Sequence, residues 1–174
     1  CFELVMIKKS LGKNFFINFS FILSIFLFDR ITKIYVINLD KKFIGSEIFS
    51  SKYLNITLIW NEGIAFGLLS FDQENLYNLL TILIILIIFF ILVMVLKSSG
   101  LKKLALVMIL GGALGNVFDR ILYKSVPDFI DFHVGEFHWF IFNIADVFIT
   151  IGVFSMILFE FIGNNQKIEE NEKF

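Results

Sequence analysis

Asp29, Asp119 and Asp146 sit inside or at the edge of stretches that otherwise read as lipid-embedded helix, and Asp128 lies in the short loop between two of them. A carboxylate in hydrocarbon costs on the order of 2.5 to 3.5 kcal/mol even on lenient insertion scales, so each marks a functional site by default. Asp29 and Lys33 stand four residues apart with the acid first, the favourable order for one helix face. A structural ion pair that neutralises itself in the membrane accounts for that pair equally well, and Arg30 is expected to snorkel toward headgroups. In GGALGNVFDR (111–120), Gly111 and Gly115 offer a small face for close helix approach. Asn116, Asp119 and Arg120 follow at i, i+3 and i+4. Asp119 and Arg120 also suit a membrane interface, but Asn116 is a turn deeper and its amide needs partners in hydrocarbon. FNIAD (142–146) repeats the pattern with Asn143 and Asp146. Two carboxylates arriving from different elements would form an acid–base pair. Asp128, whose local backbone is fixed by Pro127, is the favoured second member, with Asp131 its competitor. In NEGIAFG (61–67), Asn61 and the flexible Gly63 suit contact with an extended peptide backbone, although a plain turn reads equally well.

The elements that must position these residues follow from composition. The chain has 174 residues, 57% of them hydrophobic, and a mean hydropathy of +0.83, against roughly 45–50% apolar content in soluble domains. Residues 75–96 carry no charge and satisfy the rule of about 20 apolar residues for a span. Residues 14–28 and 104–118 reach that length only by including Asp29-Arg30 and Asp119-Arg120. The expected fold is an all-α membrane protein with four transmembrane helices, at 14–38, 75–96, 101–122 and 139–162. These form a single integral-membrane domain over 1–174. The first span continues through DRITK and has no small-residue cleavage site, so it is not read as a cleaved signal peptide. Between the first two spans, Ile56, Leu58 and Trp60 alternate with Asn55, Thr57 and Ile59, which predicts a small extracytoplasmic β-rich lid.

Lys8, Lys9 and Lys13 precede the first span, and Lys97, Lys102 and Lys103 lie between the second and third. The positive-inside rule puts both segments in the cytoplasm. Residues 40–74 and 123–138 then face outward, and the polar tail from Gly163 faces inward. On that topology three helices bring Asp29, Lys33, Asn116, Asp119, Arg120, Asn143 and Asp146 to similar depth near the outer surface.

Other chemistries find little support. A net charge of −1 gives no reason to expect nucleic acid as a partner. The one cysteine, Cys1, allows neither a disulfide within this sequence nor a cysteine metal site. His133 and His138 lack the H-E-x-x-H spacing, so no metal or cofactor is expected, and they read as interface residues beside Phe137 and Trp139. There is no G-x-S-x-G elbow and no inverted repeat. The runner-up is a small membrane proton or ion transporter with Asp29, Asp119 and Asp146 as a relay, which demands acids at successive depths. A purely structural scaffold leaves Asp128 without a task.

Together, FDRITK (28–33), NEGIAFG (61–67), GGALGNVFDR (111–120), VPDFIDF (126–132) and FNIAD (142–146) resemble the lipoprotein signal peptidase family, also called signal peptidase II. The match runs from about Asp29 to Gly152 in order and spacing; each motif is modest, and five in register are specific. The resemblance implies an aspartyl endopeptidase of the bacterial inner membrane, multi-pass with both termini cytoplasmic and its site near the outer face. It would cleave the signal peptide from prolipoproteins immediately before a diacylglyceryl-modified cysteine, working on a lipid-borne substrate with no cofactor. It implies Asp128 and Asp146 as the catalytic pair, with Asp29, Lys33, Asn61, Gly63, Asn116, Arg120 and Asn143 as supporting or substrate-binding residues. Asp119 is read as structural, organising Arg120 or the neighbouring helix. Pro127 stands where valine is more usual, which bears on loop geometry alone.

Overall fold

The computed structural model describes residues 2–43, 47–63 and 74–171, with side chains over 15–43, 47–63 and 77–162. Cys1, the side chains of Lys8, Lys9 and Lys13, and the IAFG part of the NEGIAFG motif lie outside the described residues. Helix α1 covers Phe2–Phe43, α2 Glu74–Lys97, α3 Gly100–Tyr123 and α4 Ile144–Asn171. Their apolar portions, 29, 21, 24 and 19 residues long, are each long enough at about 1.5 Å per residue to cross about 30 Å of hydrocarbon. The chain is therefore a four-span, mostly helical membrane protein with a small antiparallel sheet.

Helix α3 is the centre. In its most apolar stretch 61% of residues are buried, against 17% in each of the other three, and α1, α2 and α4 all pack on it. Small residues make this possible. A Cβ at Gly111 would sit 2.9 Å from Cβ of Ile25 on α1, and one at Gly112 would sit 2.5 Å from the carbonyl oxygen of Ala145 on α4. Gly152 of α4 answers with its own close approach, its would-be Cβ 2.7 Å from the carbonyl oxygen of Ala105. The expected small-residue face of α3 is present, and backbones meet where it lies. One end of the bundle is filled by Val95, Leu106, Val107 and Leu110. The outer faces of the other helices expose Phe16, Phe90 and Phe154, as lipid-facing surfaces do.

Strands β1 (Phe49–Ser50), β2 (Leu54–Asn61), β3 (Val126–Val134) and β4 (Phe137–Phe142) form one antiparallel sheet in that order. The β-rich region is thus assembled from both halves of the chain. Asn61 pairs with Val126 and Ile59 with Asp128 across β2 and β3, and a register shift lies between Ile56 and Ile59. Two expectations need correction. The stretch from Trp139 does not begin the fourth span: Phe137–Phe142 is a strand paired with β3, and α4 starts only at Ile144. Asp128 is on strand β3, not in a loop. Pro127 is tolerated there because β4 begins pairing with β3 only at Ile130, leaving the proline end of β3 with one neighbour and a vacant donor side. Gly135, at φ +60°, starts the two-residue turn between β3 and β4, where a left-handed first position favours glycine. Helix α4 also runs past Gly163 to Asn171, beyond the expected start of the polar tail.

Because the Ala145 carbonyl cannot yield as a flexible side chain can, Gly112→Ala must push α4 off α3. A loss of about 1–3 kcal/mol is expected, read as a lower thermal midpoint in detergent micelles.

Candidate active site

The N-terminus of α4 is the organising point. Asn143 is its cap: the Asn143 Oδ1 accepts from the Asp146 N–H at 3.2 Å, and Asp146 Oδ2 accepts from the Asn143 N–H at 3.2 Å. This is a reciprocal capping box with Asn and Asp in place of the usual Ser/Thr and Glu. The N–H between them, of Ala145, is taken from outside the helix by Asp29 Oδ1 of α1 at 2.9 Å. Amides at the helix start are thus satisfied by the side chains of Asp29, Asn143 and Asp146, all of which the sequence singles out.

From there the network spreads through residues that, apart from the half-buried Asn116, are almost wholly buried. Lys33, with none of its surface exposed, places its ammonium 2.8 Å from Asp29 Oδ2, 2.7 Å from Asp119 Oδ2 and 2.8 Å from Asn116 Oδ1. Asn116 Nδ2 then donates to Asp146 Oδ1 at 2.8 Å. On the other side, Asn143 Nδ2 donates to Asp128 Oδ1 at 2.6 Å and Asn61 Nδ2 donates to Asp128 Oδ2 at 2.8 Å. Asn61 Oδ1 in turn accepts from the Gly63 N–H at 2.8 Å, and the Arg120 guanidinium donates to the Gly63 carbonyl. All nine site residues expected from sequence fall into this one constellation, built by α1, α3, β2 with the residues just after it, β3 and α4.

Other expectations change. Arg30 does not snorkel; it is buried, ion-paired with Asp119 Oδ1, and its guanidinium carbon lies 5.1 Å from the centre of the Phe118 ring. Asp119 holds Lys33 and Arg30 of the neighbouring helix α1, while the Arg120 guanidinium donates to the Gly63 carbonyl. Asp131, the competitor for Asp128, lies elsewhere: its Oδ2 is 2.7 Å from Nδ1 of His138, which stacks on His133 at 5.1 Å. Arg30 was the residue sequence reasoning missed. The signal was available, since Asp-Arg occurs twice within membrane spans, at 29–30 and 119–120.

Electrostatics separate Asp128 from an ordinary carboxylate. Burial, reinforced by the negative charge of Asp146, pushes its carboxyl from 3.8 up to about 7, against the opposing pull of hydrogen bonds from Asn61 and Asn143. Like charges sharing a dehydrated site cannot both ionise cheaply. At neutral pH Asp128 is thus poised between its two forms.

A helical membrane bundle with a polar centre of this kind is the build of a membrane enzyme, and solved structures agree. Two chains, each described as a bacterial membrane enzyme, superpose with TM-scores of 0.69 and 0.62 at 31% identity. They cover 86% and 81% of this chain and 90% of their own. A family model described as Signal peptidase (SPase) II matches residues 21–162. A lipoprotein signal peptidase from Pelagibacter ubique is 51% identical over 91% of this chain and 95% of its own length. Another from Burkholderia mallei is 43% identical over 78% and 81%. The chain belongs to the signal peptidase II family and is a peptidase.

Two outcomes follow from the geometry. Arg30→Leu leaves Asp119 short of a buried partner and should cost about 3 kcal/mol, measurable by thermal or denaturant unfolding in micelles; a snorkelling arginine would change stability by about 0.5 kcal/mol or less. The second concerns pH. A carboxyl raised in the folded state contributes stability that is complete below its unfolded value near 4 and is lost as pH rises through about 7. The loss is on the order of 4 kcal/mol. Asp128→Asn cannot ionise, so the stability of the variant relative to the parent should increase between pH 5 and pH 8, compared as thermal midpoints at the two values.

Proposed function

We propose that the protein is an aspartyl endopeptidase that cleaves the signal peptide from prolipoproteins immediately before a diacylglyceryl-modified cysteine, with Asp128 and Asp146 as its catalytic pair. One observation carries the reading. Asp128 on β3 and Asp146 on α4 come from different elements, yet Asn143 hydrogen-bonds to both, through Nδ2 to one and backbone N–H to the other. Hydrolysis by two carboxylates requires one ionised to take a proton from water and one protonated to polarise the scissile carbonyl. Two carboxylates that share one dehydrated site, Asp128 among them raised to about 7, suit that division and titrate as a unit.

The remaining residues support the pair. Lys33, Asp29 and Asn116 hold Asp146 and its helix; Asn61 and Asn143 hold Asp128. Arg120 and Gly63 shape the loop beside it, where backbone groups and the guanidinium suit an extended peptide and the oxyanion formed on attack. The protein is read as one integral-membrane domain of the bacterial inner membrane with its termini in the cytoplasm. The site then opens near the outer leaflet, at the level of a lipid-anchored cysteine. A transporter relay wants acids at successive depths; Asp29, Asp119 and Asp146 instead join one network through Lys33 and Asn116.

The test uses purified protein with prolipoprotein carrying or lacking the diacylglyceryl group. Cleavage should require the lipid, and Asp128→Asn and Asp146→Asn should each lower it by about 10³-fold or more while still folding. Normal processing by either variant overturns the pair.

A further inference from the structure

We propose that Lys33 is a positioning residue that decides where the shared proton of the catalytic pair resides: acting through Asn116, it keeps Asp146 ionised and leaves the proton on Asp128. This rests on the catalytic pair proposed above and assigns its roles.

An ammonium has three donors and no acceptor. Those of Lys33 are spent on Asp29, Asp119 and Asn116 Oδ1, so the side chain does not touch Asp146. It dictates the Asn116 amide instead. With Oδ1 held by the ammonium, only Nδ2 can face Asp146. The same logic fixes the other two amides, because Asn143 Oδ1 accepts from the Asp146 N–H and Asn61 Oδ1 accepts from the Gly63 N–H. Each therefore turns Nδ2 toward Asp128.

All four oxygens of the pair thus receive one donor, and the difference lies in the donors' quality. Asp128 receives two neutral amides. Asp146 receives a backbone N–H at the positive end of α4 and an amide polarised by a buried ammonium. Other charges in the neighbourhood are Asp29 and Arg30 on α1, Asp119 and Arg120 on α3, with the Tyr77 hydroxyl of α2 close to Arg120. Asp29 and Asp119 are matched by Lys33 and Arg30 together, which leaves the preference for an anionic Asp146 intact.

The proton count closes. As water attacks the scissile carbon, Asp146 takes one of its protons, a C–O bond forms, and Asp128 gives its proton to the carbonyl oxygen, producing a neutral gem-diol. The C–N bond then breaks, Asp146 passes its proton to the leaving nitrogen, and Asp128 recovers one from a gem-diol hydroxyl as the carbonyl reforms. The pair returns to its starting state.

The experiment is the pH profile of kcat/KM for the full chain in micelles, from about pH 4 to about pH 10, with a synthetic diacylglyceryl-cysteine lipopeptide. Lys33→Met and Asn116→Ser should each move the acidic limb upward by about one pH unit or more and leave the alkaline limb in place. Asn61→Ser should move only the alkaline limb upward. Asn116 is half-buried, so its serine variant carries the test where Lys33→Met fails to fold. Folded variants that are slower with both limbs unmoved would show Lys33 to be structural and overturn the proposal. The alkaline limb moving with Asn116→Ser and the acidic one with Asn61→Ser would reverse the assignment. Both results leave Asp128→Asn and Asp146→Asn inactive; processing by those two strikes the catalytic pair itself.

Discussion

A single ammonium with no exposed surface joins α1 to α3, and the rest of the polar centre depends on it. Lys33 bridges Asp29 and Asp119, in a medium where no bulk water compensates either acid. Arg30 supplies the second positive charge, so two acids and two bases are buried as one neutral group. Placing such a group in hydrocarbon is costly unless its geometry is fixed on every side. The fixing comes from glycine: a side chain at Gly115 would meet Asp29 Oδ2 at 2.6 Å, so α3 can lie against the cluster only because that position is bare.

The sheet does for Asp128 what the helices do for Asp146. Pairing of β2 with β3 sets Asn61 opposite Val126 and Ile59 opposite Asp128, which brings the Asn61 amide to the carboxylate across strands 67 residues apart in sequence. The region read from sequence as a cover over the site is therefore part of its frame. Its far half, with Asp131, His133 and His138, has a separate polar cluster of its own.

Helical periodicity made much of this legible. Asp29 with Lys33, Asn116 with Asp119 and Arg120, and Asn143 with Asp146 could be placed on common faces because a 3.6-residue repeat needs no tertiary information. The partners of those faces were not legible. Arg30 finds Asp119 across 89 positions, and nothing local distinguishes it from an arginine reaching for headgroups. FHWFIF is equally apolar on both sides, and a run of that kind fits a strand or a helix start until its pairing with β3 decides. The true start of α4 was written in Asn-x-x-Asp, a capping signal obscured by the hydrophobic residues ahead of it.

On the proposed pairing of Asp128 with Asp146, that capping signal ties catalysis to fraying. Of the residues that close the first turn of α4, Asp146 is one of the two carboxylates and Asn143 bonds to both of them. Helix ends ordinarily open and close at little cost, but here each opening dismantles the reactive arrangement. The third clasp, from Asp29 to the Ala145 amide, makes such openings rarer by attaching the end of one span to the middle of another. For the proposed pair, the fraction of molecules competent at any instant is then an equilibrium property of one helical turn, set by the free energy of its ends.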